Sequence, residues 1–78
     1  MTMYIYFGKF KPLAERVSVF GKIRKMDCVK DAYLVNGSYD FVLCVEMDAP
    51  AYTFSFLLTK SGDISLVHVL EVQDAENM

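Results

Sequence analysis

The side chains in this 78-residue chain that could do chemistry are few, and the densest group of them is Asn36-Gly37-Ser38-Tyr39-Asp40. An amide, a hydroxyl, a phenol and a carboxylate lie close together there, around a glycine that suits a tight turn. Asp40, between Tyr39 and Phe41, can accept backbone hydrogen bonds beside that turn or can face the ammonium group of a ligand. Tyr39 carries a hydroxyl on an apolar body and suits packing, an interface or a pocket rim. These five are the candidate ligand-binding residues, and the chemistry they offer is recognition of a small polar molecule.

His68 is the only histidine and lies between Val67 and Val69 in an apolar run. It has no Cys, His or carboxylate at ligand spacing, so it reads as a hydrogen-bonded core or interface residue. No Ser-His-Asp set, carboxylate pair, glycine-rich phosphate loop or metal-ligand cluster can be assembled. No catalytic residue, metal ligand or cofactor is therefore assigned. Cys28 and Cys44 lack both CxxC spacing and the density of a disulfide scaffold, and Cys44 reads as a small buried hydrophobe.

The formal net charge of −2 argues against a nucleic-acid partner, which needs clustered Lys and Arg to displace counterions. The one basic cluster, Lys22, Arg24 and Lys25, falls at the end of a predicted helix and complements its dipole. No apolar run approaches the roughly 18 residues of a membrane span, and Lys9 follows the first apolar run where a signal peptide would have its basic residues before it. A cytoplasmic location without membrane contact is expected. The chain is 54% hydrophobic and only 23% charged, more apolar than so small a domain can easily hide, which leaves apolar surface for an interface.

The elements that must position the candidate residues follow from periodicity. Met3 to Phe7 is a first strand. Pro12 can open a helix to about Met26, with Leu13, Val17, Phe20 and Ile23 repeating along one face. Val29 to Val35 and Phe41 to Met47 are two strands of a hairpin turning at Asn36-Gly37. Asp48-Ala49-Pro50 and Ser61-Gly62 start and stop a second helix, although Thr53-Phe54-Ser55-Phe56 alternates like a strand. Ile64 to Val72 is the last strand. Residues 1–73 form one domain and 74–78 a polar tail.

The order βαββαβ predicts a ferredoxin-like α+β fold, a four-stranded antiparallel sheet with both helices on one face. The right-handed crossover rule puts the first and third strands at its centre. Tyr4, Tyr6, Val42, Cys44, Val67 and Val69 are expected to make the other face apolar as well, and to pack it on a second copy as an isologous dimer.

At Gly37-Ser38-Tyr39-Asp40-Phe41-Val42, with Val45-Glu46 following, the chain resembles the GYD family. The similarity extends to Tyr4-Ile5, Gly8-Lys9-Phe10 and Ser61-Gly62. It also resembles the effector domain of the Lrp/AsnC regulators, including stand-alone versions without a DNA-binding part. Both are dimeric α/β-barrel domains. The second resemblance implies an amino acid or similar metabolite bound at an oligomer interface, where this hairpin and the last strand help to line the site, with only indirect effects on DNA. Cofactor-independent monooxygenases use related dimeric barrels, so fold analogy also suggests an enzyme in which His68 steers an apolar cavity. A binding module therefore leads, ahead of a purely structural association domain and a cofactor-free enzyme. A pocket between hairpins with Asp40 facing into it favours binding, a monomer cavity lined by His68 and tyrosines favours the enzyme, and a filled interior with tight sheet-to-sheet packing favours association.

Overall fold

The computed structural model describes residues 1–72; the expected tail, 74–78, lies outside the described residues. Six elements follow in the order β1 (Thr2–Phe10), α1 (Arg16–Arg24), β2 (Val29–Leu34), β3 (Phe41–Met47), α2 (Ala51–Lys60) and β4 (Ile64–Glu71). The strands form one four-stranded antiparallel sheet in the order β2-β3-β1-β4, with β1 and β3 central as the crossover rule requires.

The second helix forms where its signals lie. Pro50 occupies the N-cap position with φ −63° and ψ 150°, and Gly62 takes φ +85° just beyond the last turn. Phe54 and Leu58, one helical turn apart, are its buried residues, so the period of 3.6 wins over the local alternation.

The first helix is shorter than predicted, Arg16–Arg24 in place of Pro12 to about Met26. Lys11-Pro12-Leu13-Ala14 is instead a turn, closed by the Ala14 N–H donating to the Lys11 carbonyl at 3.0 Å, with proline in the position that its fixed φ favours. Leu13 is consequently fully exposed and Val17 is 75% exposed; the buried residues of α1 are Val19, Phe20 and Ile23.

Burial along β1 alternates so that Tyr4, Tyr6, Gly8 and Phe10 face the helices. The expected placement of Tyr4 and Tyr6 on the open face is thus corrected. Their hydroxyls donate to the carbonyls of Ala49 (3.1 Å) and Ala51 (2.6 Å) at the start of α2, which satisfies two phenols within the core. Gly8 belongs to the same face because the Phe41 ring lies over it, and a Cβ there would collide with the ring. Val69 pairs with Tyr6 and Val67 with Gly8, so these two valines also face the helices, again contrary to expectation. The core is closed by Tyr6, Phe41, Leu43, Val45 and Phe54, all fully buried.

The helix-free face is therefore built from the alternate set of residues. One row across the four strands reads Tyr33, Val42, Phe7, His68 and the next Asp31, Cys44, Ile5, Leu70, with Met3 and Glu46 beyond. Val42 and Cys44 lie on this face as expected. Tyr33 and Leu70 at its two edges are 58% and 62% exposed.

Candidate functional site

The hairpin loop is longer than an Asn-Gly turn. The Val35 N–H donates to the Asp40 carbonyl at 2.9 Å, leaving Asn36 to Tyr39 as a four-residue loop. A two-residue type I′ turn needs positive φ at both central residues, but Gly37 alone has it, at +130°. Asn36, Gly37 and Ser38 are all exposed, and space around Gly37 is open.

Asp40 is the residue that ties this loop to the rest of the domain. Its N–H donates to the Gly8 carbonyl (2.8 Å), and its Oδ2 accepts from the Phe10 N–H (2.9 Å). Its Oδ1 lies 3.4 Å from Nη2 of Arg16, whose guanidinium also sits 5.3 Å over the Phe10 ring. The carboxylate is thereby committed to the end of β1 and the start of α1, where the pairing of β1 with β4 shifts register between Lys9 and Phe10. Of the two roles open to Asp40 from the sequence, this geometry supplies acceptance of a backbone N–H.

Tyr39 turns the other way, over the helix-free face. Its hydroxyl and Nδ1 of His68 are 2.6 Å apart, a hydrogen bond in which the phenol donates when Nδ1 is unprotonated. The Tyr39 ring stands 5.6 Å from the His68 ring edge-on and 5.3 Å from the Phe7 ring. A phenol, an imidazole and an aromatic ring thus meet where the loop touches the sheet, with Ile5 and Val42 next to Phe7 across the face. Such a cluster offers hydrogen-bond donors and acceptors beside apolar surface.

Phe7 is the member that sequence reasoning did not single out. Its partnership with His68 depends on the register of β1 against β4, and no local pattern announces that pairing. The Cys44 thiol, in the same face, is pushed above its ordinary pKa by burial and further by the carboxylates of Asp31 and Glu46, which keeps it neutral and weakly reactive. Burial likewise raises the Tyr6 phenol to about 12, with Tyr4 adding to the effect. Among the described residues no three His, Cys, Asp or Glu side chains come together as a metal site. A cleft of about 140 Å³ between α1 and α2, floored by Val19, Ile23, Leu58 and Ile64, contains none of the candidate residues.

No family model matches the chain, and no curated protein does. Solved structures match closely in shape. The crystal structure of FFRP-DM1 is 26% identical, with a TM-score of 0.78 over 94% of this chain and 100% of the other. AsnC from E. coli is 19% identical with a TM-score of 0.78 over 95% of this chain and 52% of the other. A transcriptional regulator from Neisseria meningitidis, NMB0573, solved as an L-Met complex, is 13% identical with a TM-score of 0.75 over 95% and 51%. The chain spans about half the length of these two regulators. Its βαββαβ sheet and two helices are the fold of the Lrp/AsnC effector domain, and the Lrp/AsnC resemblance carried by its hairpin fits that fold.

Proposed function

We propose that this chain is a non-enzymatic, cytoplasmic binding and regulatory module that pairs with a second copy through the helix-free face of its sheet and takes an amino acid or similar small metabolite beside the hairpin loop. The observation that carries this reading is the meeting of Tyr39, His68 and Phe7 at the edge of an apolar sheet face. The phenol and imidazole supply polar contacts, Asn36, Gly37 and Ser38 add an amide, backbone N–H groups and a hydroxyl from the exposed loop, and Asp40 positions that loop through Phe10 and Arg16. The description of the Neisseria meningitidis regulator as an L-Met complex supports an amino acid as the ligand class.

Thermal-shift screening of the twenty amino acids and related metabolites tests it, with Tyr39→Phe and His68→Ala run beside the parent. A ligand at a hundred times its Kd stabilises the fold by about 2.7 kcal/mol. Loss of one hydrogen bond in Tyr39→Phe weakens binding roughly tenfold. No stabilisation by any compound overturns the reading. The filled core then favours a second one, a structural association domain, since Tyr6, Phe41, Leu43, Val45 and Phe54 are all buried between the sheet and the helices.

A further inference from the structure

On α1, Val17, Phe20, Gly21 and Arg24 recur at i, i+3, i+4 and i+7, and with Lys25 and Leu34 of β2 they line a groove of about 410 Å³. Phe20 is buried and forms the floor, while Val17 and Leu34 are 75% and 50% exposed and form the walls. This groove lies on the helix side of the sheet, because Leu34 pairs with the buried Phe41. It is separate from the Tyr39–His68 cluster and from the open face.

Two further features point to what it holds. Gly21 lies in the middle of α1 although glycine is a poor helix former, and nothing inside the chain requires it: its φ is negative and a Cβ there would meet no atom within 4 Å. Close approach of another surface to the helix supplies a reason for the missing side chain. At the groove's end Arg24 and Lys25 are exposed, and the ion pairs among the described residues are Met1–Asp48 and Arg16–Asp40, so neither cation has a carboxylate partner among those residues. Their complementarity to the dipole of α1 does not account for the apolar walls beside them.

We infer that this groove is a docking surface for an acidic amphipathic segment of a partner protein, with apolar side chains against Val17, Phe20 and Leu34 and carboxylates on Arg24 and Lys25. A concave groove with a cationic end suits a helix laid into it. A flat bilayer surface would leave the floor at Phe20 uncovered.

The probe is a fluorescein-labelled helical peptide with leucines at i, i+3, i+4 and i+7 and glutamates between them, titrated against the full chain by fluorescence anisotropy. The variants are Gly21→Leu, which fills the groove from a position with free space, and the double reversal Arg24→Glu with Lys25→Glu, each checked by circular dichroism. Saturable binding that weakens at least tenfold in both folded variants is expected, and the double reversal should instead bind the same peptide made with lysines. That swap separates a docking role from a merely structural one. No saturable binding of the glutamate peptide, or binding indifferent to Gly21→Leu and to charge reversal, overturns the inference. Binding to phosphatidylserine vesicles in preference to the peptide overturns it in favour of a membrane surface.

Discussion

At the scale of single residues, Asp40 shows how one carboxylate can hold a loop against the strand and helix beside it. It accepts from the Phe10 N–H and pairs with Arg16, so removing it leaves a backbone donor and a guanidinium without their partner. Asp40→Ala should therefore destabilise the fold by about 1–3 kcal/mol, read as a fall in denaturant midpoint at unchanged slope. An unchanged midpoint would show that the loop holds itself. Tyr6 makes a second prediction, through pH. Its phenol is raised to about 12, above the ordinary value of 10.0, so the folded state favours the protonated form. The stabilisation is fully present below about pH 10 and is lost as pH rises through about 12. Urea midpoints should fall across that window in the parent, and less steeply in Tyr6→Phe, which cannot ionise there.

At the scale of elements, α1 and β1 decide where the core ends. Leu13 precedes the helix in a proline turn and touches solvent on all sides, whereas Leu58 of α2 is 2% exposed. Leu58→Ala should cost about 2–5 kcal/mol, and Leu13→Ala should stay within about 0.5 kcal/mol of the parent. Comparable losses would mean that the helix does extend back to Pro12. Two glycines should respond in opposite directions. Gly8→Ala drives a methyl group into the Phe41 ring and should destabilise by about 1–3 kcal/mol, while Gly21→Ala meets open space in a helix and should stabilise by about 1 kcal/mol. Thermal melts of the two variants read the sign directly.

At the scale of the whole molecule, two surfaces differ in the way they leave apolar residues uncovered. The helix-free face is a continuous sheet surface through Ile5, Phe7, Val42, Cys44 and Leu70, and the proposed pairing of two copies buries it. The outer side of α2 exposes Tyr52 and Phe56, separate from that face. In light scattering, the parent should run at the mass of a dimer and Val42→Lys at that of a monomer, since an unpaired ammonium at a buried interface costs several kcal/mol. Tyr52→Lys should leave the dimer intact. A parent that runs as a monomer at micromolar concentration would remove the face-to-face pairing from the proposed function.

By itself the sequence determined the order of elements, the ferredoxin-like topology and the limits of α2, because these rest on local periodicity and on proline and glycine signals at the ends. It also marked Asn36 to Asp40 as the candidate binding residues and read His68 as a hydrogen-bonded core or interface residue. What only the tertiary structure decided was direction. Strand alternation separates Tyr4 and Tyr6 from Ile5 and Phe7 but does not say which pair faces inward; the carbonyls of Ala49, just before α2, and Ala51, its first residue, accept the two phenol protons and settle it. Val67 and Val69 then face the helices by register against Gly8 and Tyr6. The same register places His68 beside Phe7 on the open face, within reach of Tyr39 from a loop 29 residues away in sequence. Pairing between distant strands carries no local signature, so a site assembled by that pairing becomes visible only when the sheet is complete.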